Sequence, residues 1–269
     1  MNTTIERLDG MIYDFSALGI ITRDFIISAP SYRHSTDFVE GRHGLIDLGT
    51  NYNARSIVID CYLKAVDIGD YALLRDELFK ILQSNEAFYV IESRNPGKRW
   101  FVKVDNQFEI NQIGVYGLFQ INLKAYRAFA ESIGTTLDPL TFDANLWQVG
   151  QGLIAEDLKY KHNANTFSIY NAGEKIDPRS LPLKITYQGA SNNLEISNLT
   201  TGDTWKYTGI SNSNDRIILD GIRSTKNNLS IFRNTNKRLI SLNPGWNKFI
   251  LNGTSGGFEI SFDFRFYYL

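Results

Sequence analysis

The sequence is poor in the residues that usually carry chemistry. Its 269 residues include one cysteine, Cys61, so no internal disulfide can form. Cys61 lies in the alternating run RSIVIDCYLKAV and reads as a small buried strand residue. The three histidines, His34, His43 and His162, are far apart and make no helical i, i+4 ligand pair, so no metal site is expected. Gly-x-Ser-x-Gly is absent, and Cys61 has no histidine near it in sequence. Nothing in the spacing of the 29 carboxylates selects an acid and base pair. No catalytic residue, cofactor or enzymatic activity is therefore expected. NPGKRW contains Gly-Lys but lacks the upstream glycine and following Ser/Thr of a phosphate-binding loop, and it reads as a hairpin turn.

Two further things are missing. No apolar run approaches the length of a membrane-spanning helix. The opening MNTTIERLDGMIYDFSALGI scatters charges through its length, so no secretory signal is expected. Charge of one sign is lacking as well: 28 Lys+Arg face 29 Asp+Glu, a formal net charge of -1, which recommends neither nucleic acid nor an anionic bilayer as a binding surface.

Aromatic residues are plentiful at 13%, with 17 Phe and 14 Tyr, and these favour strands. The length suits two domains of ordinary size. From Asn53 to Val66 the residues Ile57, Ile59, Cys61 and Leu63 alternate with Ser56, Val58, Asp60 and Tyr62, a strand whose second face is partly covered. DYALLRDELFKILQS then predicts a helix over about 70–84, with Asp70 as its cap and Tyr71, Leu74, Leu78, Ile81 and Leu82 on its apolar face. AFYVIES, WFVKVDNQFEI and YGLFQINLKAYRAFA follow as strands. Residues 1–133 thus predict a β-sandwich or rolled sheet covered by one helix.

IGTTLDPLTFDANL breaks this periodicity, and a linker is expected at 134–145. Residues 146–269 are a series of short strand-like runs separated by Asn, Gly, Ser, Asp or Pro, which predicts an antiparallel sandwich of jelly-roll type. One such run, RLISLNPGWNKFILNG, reads as two strands, Leu239–Leu242 and Lys248–Leu251. Pro244 and Gly245 would form a type II turn between them. Trp246 at its tip, and Trp205 inside GDTWKYTG, are candidates for saccharide stacking, for protein docking or for packing on their own domain.

Ordered along the chain, VEGRHGLIDLG, ARSIVIDCYL, the helix DYALLRDELFKIL, the turn RNPGKRWFVKV and the end LISLNPGWNKFILNG followed by an aromatic-rich strand resemble the distal tail proteins (Dit) of long-tailed phages that infect Gram-positive bacteria. The resemblance implies an N-terminal β-sandwich with a helix that assembles into a hexameric ring, and a C-terminal galectin-like sandwich. It implies a structural hub at the tail tip of the virion, made in the host cytoplasm. The partners implied are the tail tube protein, a tail-associated fibre or lysin protein and receptor-binding proteins, with DNA passing through the channel without specific binding. SYRHSTDFVEGRHGLIDLG suits an arm crossing to a neighbour, with Tyr32, Arg33, His34, Phe38, Arg42 and His43 as candidate ring-interface residues. The same stretch also reads as an ordinary long hairpin within one subunit. The alternative to the hub is a monomeric carbohydrate-binding protein that recognises a bacterial cell-wall glycan.

Overall fold

In the first half of the chain the alternating residues form the middle of an antiparallel sheet. The strands are β1 (Thr3–Glu6), β2 (Ile12–Asp14), β3 (Ile20–Ile27), β4 (Tyr32–Asp37), β5 (Ile46–Tyr52), β6 (Arg55–Lys64), β7 (Phe88–Glu92), β8 (Lys98–Val104), β9 (Asn111–Ile113) and β10 (Tyr116–Ala125), with the helix α1 (Ile68–Ile81) between β6 and β7. This computed structural model describes residues 1–154 and 156–269, which fall into two units, Met1–Ala130 with Leu269 and Glu131–Tyr268.

The sheet of the first unit runs β2-β1-β7-β8-β10-β6-β3, with β9 added to β10. On β6 the residues Ile57, Ile59, Cys61 and Leu63 are buried, while Val58, Asp60 and Tyr62 are half-buried, as their alternation predicts. β10 pairs with β6 from Tyr116↔Lys64 to Ala125↔Arg55. The Thr22 hydroxyl on β3 donates to Thr3 Oγ1 on β1 at 2.9 Å, and Arg94 Nη2, just after β7, donates to the Phe25 carbonyl on β3 at 3.2 Å. Strands far apart in the sheet order thus face one another, so the sheet is rolled.

The helix begins earlier than the sequence predicts. Asp67, not Asp70, is the N-cap: its carboxylate accepts the Asp70 amide at 2.8 Å, and the Asp70 carboxylate accepts the Val66 amide at 2.8 Å. This reciprocal arrangement satisfies the Asp70 amide, which the first turn leaves without an intrahelical partner, and the Val66 amide just before the cap. At the other end Arg7 Nη1 donates to the Gln83 carbonyl at 2.7 Å, a cation placed where the helix dipole is negative. Tyr71, Leu78, Ile81 and Leu82 are buried. Beneath them a Cβ on Gly117 would stand 2.8 Å from Tyr71 Oη and 3.0 Å from Leu63 Cγ, so the helix lies directly on the β6–β10 pair.

The second half comprises β11 (Ala130–Ser132), β12 (Lys161–His162), β13 (Thr166–Asn171), β14 (Leu183–Asn198), β15 (Asp203–Lys206), β16 (Ile210–Ser211), β17 (Arg216–Asp220), β18 (Arg223–Lys226), β19 (Leu229–Ser230), β20 (Gly245–Phe264) and β21 (Tyr267–Tyr268). β14 and β20 form its spine. The first part of β14 pairs with β17 and the end of β20, and its last part with β15 and the start of β20. The start of β20 also carries β13, and its end carries β12. Each long strand therefore passes from one sheet of a sandwich to the other, and register shifts between Gly189 and Glu195 mark the corner. Gly253 sits at this corner with φ 78°, where a Cβ would come within 2.5 Å of the Asn192 carbonyl oxygen. The sequence predicts separate strands on either side of these glycines; the structure has continuous strands that bend at them.

RLISLNPGWNKFILNG also differs from expectation. Leu239–Leu242 does not pair with Lys248–Leu251: Leu242 bridges Ile176, and β20 pairs with β13 and β14. Gly245 does take the positive φ the turn needs, 80°. The turn closes on Asn247 instead of on a partner strand: Asn247, fully buried, accepts the Asn243 amide at 2.9 Å and donates to the Asn243 carbonyl at 2.8 Å. Of the stretch 134–145, Thr136 is buried. Its amide donates to the Phe264 carbonyl at 2.9 Å and its hydroxyl to the Phe262 carbonyl at 2.7 Å, which ties this residue to the end of β20.

Candidate functional site

β4 and β5 stand apart from the sheet of their unit. They form a two-stranded sheet of their own, in register from Tyr32↔Tyr52 to Asp37↔Ile46 with a bulge between Ser35 and Thr36. The base is held firmly: the Ser28 amide donates to the Ser56 carbonyl at 3.0 Å and the Asn53 amide to the Ser31 carbonyl at 2.9 Å. Arg55 Nε donates to the Ser28 carbonyl at 2.9 Å, with its guanidinium 4.9 Å from the centre of the Trp100 ring. Beyond the base every residue from Tyr32 to Tyr52 except Ile46 is exposed.

The hairpin brings together the residues singled out from the sequence. Tyr32, Arg33 and His34 lie on β4, and Phe38, Arg42 and His43 in the connection to β5. His34 Nδ1 is 2.8 Å from the Thr50 hydroxyl, and the Tyr32 ring stacks towards His34 and contacts Tyr52, with centroids 6.2 and 5.4 Å away. The structure adds Val39, Leu45 and Leu48, which sequence reading passed over. Phe38 is 66% exposed, Leu45 62% and Leu48 63%. Their signal is large apolar residues in a stretch otherwise rich in Gly, Asp, Arg and His. A two-stranded hairpin is marginal alone, and this one leaves Phe38, Val39, Leu45 and Leu48 exposed.

The tryptophans separate. Trp205 is 1% exposed, inside the sandwich on β15, and cannot serve as a docking or glycan contact: its indole fills the space between the sheets. Trp246 is 43% exposed and packs edge-on against Tyr170, centroids 5.1 Å apart, its cross-strand neighbour on β13. Part of the indole is thus spent on its own domain. His162 stacks on Phe167 at 4.4 Å, and burial holds its imidazole below the ordinary value. Burial likewise pushes the Cys61 thiol up to about 12, which keeps it protonated and unreactive. Among the described residues no group of three or more His, Cys, Asp or Glu is placed to hold a metal, and no helix is long and apolar enough to cross a membrane.

Comparison with known proteins agrees with this architecture. The phage tail protein RIFT-related domain family matches residues 12–125, which contain the strands from β2 to β10, the helix and the hairpin. No curated protein matches the chain by sequence. Among solved structures, the distal tail protein (Dit, gp 19.1) of phage SPP1, described as a paradigm of the hub adsorption apparatus in phages infecting Gram-positive bacteria, superposes with a TM-score of 0.70 at 13% identity, over 98% of this chain and 99% of that one. A chain of the phage p2 baseplate in its activated conformation with Sr matches at 8% identity and a TM-score of 0.47, over 98% of this chain and 97% of that one. The family match thus covers residues 12–125, and over nearly its whole length the chain has the fold of the SPP1 distal tail protein.

Proposed function

We propose that this protein is the hub of a phage tail tip, a hexameric ring that joins the tail tube to the tail-tip fibre and baseplate and leaves a channel for DNA. The observation that carries the reading is the β4–β5 hairpin. Among the described residues it pairs with no other strand, it is anchored at its base, and it presents Phe38, Leu45 and Leu48 to the surroundings. A head-to-tail ring needs such an element, because each subunit must offer one surface and receive a different one. A chain that makes a rigid base and leaves the arm uncovered is suited to place that arm on the next copy. The near-zero net charge supports a conduit for DNA, since a basic lining would hold phosphates at every sequence.

The test is the mass of the purified protein by light scattering over a range of concentrations, with negative-stain images. Six subunits in ring-shaped particles are expected. The double variant Phe38→Asp, Leu48→Asp should fall to the monomer mass with an unchanged circular dichroism spectrum, because both side chains are exposed within the subunit. A parent chain that stays monomeric at every concentration overturns the self-assembling ring. A hexamer indifferent to the double variant overturns the role of the arm.

A further inference from the structure

The second unit contains a solvent-open cavity of about 440 Å³ whose wall is dominated by charge. Lys175, Arg179, Lys237 and Arg238 line it together with Asp177 and Asp203, an excess of two positive charges. Both carboxylates are already engaged. Arg179 Nε lies 3.0 Å from each oxygen of Asp177. Asp203 accepts the Thr201 hydroxyl at 2.8 Å and the Ser241 amide at 2.9 Å, as well as the Ser241 hydroxyl. Lys175, Lys237 and Arg238 make no ion pair and no side-chain hydrogen bond with any described residue. With Arg179 paired to Asp177, three cations share the cavity with one further carboxylate, Asp203, and Lys175 lies near enough to lower both carboxyls.

The backbone supplies an independent observation. Among the described residues the non-glycine residues with positive φ are Asn145, Asn193, Asn227, Asn228 and Lys237, the last at 58°. Asparagine tolerates this region because its short side chain bonds locally, whereas a long side chain is strained there. Lys237 is exposed and contributes nothing to the core, so folding alone does not call for lysine in place of glycine or asparagine. What lysine adds is an ammonium in the cavity wall. Strain retained beside a concave cluster of like charges is the pattern of a ligand site.

We propose that this cavity binds a phosphorylated polyol or sugar, with Lys175, Lys237 and Arg238 holding the phosphoryl group. Phosphoryl oxygens accept charge-assisted hydrogen bonds from ammonium and guanidinium groups. The volume exceeds what one phosphate occupies and falls in the range of small-ligand sites, about 300–1,000 Å³. The Asp177–Arg179 pair offers an acceptor and a donor to the hydroxyls of the remainder. The site lies wholly in the second unit, so a monomer and a ring bind alike, and failure here leaves the hub reading standing.

Calorimetric titration of the full chain at low ionic strength tests the site, with glycerol 3-phosphate, inorganic phosphate, the diester glycerophosphoglycerol and plain glycerol as probes. Saturable binding of glycerol 3-phosphate and none of glycerol is expected. Comparable binding of the diester identifies a polymer-borne phosphate as the source, and binding of monoesters alone identifies a free one. Lys237→Gly should weaken binding at least tenfold while its melting temperature stays level or rises, since glycine removes the strain, and Lys237→Arg should keep the affinity. Arg238→Gln gives a second reading of the same loss should Lys237→Gly fold poorly. Absence of saturable binding by every phosphate probe, or unchanged affinity in both neutralised variants, overturns the proposal.

Discussion

Asparagine does much of the structural work in the second unit, because its side chain can both donate to and accept from backbone that is not in a ladder. Asn171, Asn198 and Asn247 are buried at 1%, 0% and 0% exposure. Asn198 Nδ2 donates to Asn247 Oδ1 at 3.1 Å and to the Ser241 carbonyl at 2.8 Å, and Asn171 Nδ2 donates to the Glu174 carbonyl at 2.8 Å. Together they hold the loops that flank β13, β14 and β20. Removing one member leaves several buried partners unpaired, each costing about 1–3 kcal/mol. Asn247→Ala is accordingly expected to lower the unfolding free energy by about 2–4 kcal/mol in urea titration. A loss below about 0.5 kcal/mol, the range of ordinary surface changes, would show that water replaces the amide there. Read one by one in sequence, these residues look like turn formers, and that is why the sequence predicts breaks around them.

At the scale of elements, α1 shows how local chemistry sets a boundary that hydrophobic periodicity places only loosely. The apolar positions Tyr71, Leu78, Ile81 and Leu82 are buried as predicted, but the first turn is decided by two aspartates bonding crosswise to the Asp70 and Val66 amides. Asp67→Ala is expected to cost about 1 kcal/mol, as N-cap losses do, read as a lower urea midpoint with an unchanged slope. Asp70→Ala should cost less, because the cap itself remains. Equal stability of Asp67→Ala and the parent would mean that packing on β6 and β10 alone positions the helix. The same contrast separates the β4–β5 hairpin from β6. β6 lies between two neighbours in a sheet, while β4 and β5 pair only with each other, a difference that only pairing reveals.

For the whole molecule, ionisation makes stability depend on pH in a definite direction. The Ser16 hydroxyl and the Asn2 amide hold the Asp14 carboxyl below its ordinary value, and Arg179 does the same for Asp177. Burial pushes Asp203 up, but the hydroxyl and amide of Ser241 and the Thr201 hydroxyl outweigh it and leave that carboxyl lowered too. A carboxyl whose folded value lies below its unfolded value, about 3.9 for aspartate, contributes stability that is complete above the unfolded value and is lost as pH falls through the folded one. The melting temperature is expected to decline gently below about pH 6.5, where the unfolded chain protonates His162 more readily than the fold does, and to fall more steeply below about pH 4. Asp203→Asn should lower it at pH 7 and flatten its acid limb. A melting temperature that rises on acidification below pH 4 would contradict this assignment.

By itself the sequence determined the β-rich class, the helix with its buried face, the strand alternation of β6 and β10 and the resemblance to distal tail proteins. All of these rest on periodicity and turn chemistry, which are properties of neighbours along the chain. Tertiary structure alone decided that the glycines around 189 and 253 bend continuous strands, that Trp205 is core while Trp246 shares a strand pair with Tyr170, and that Lys175, Lys237 and Arg238 face one cavity. The physical reason is common to the three. Each depends on which strand lies beside which, and strand pairing joins residues separated by tens of positions through backbone groups that are the same in every residue.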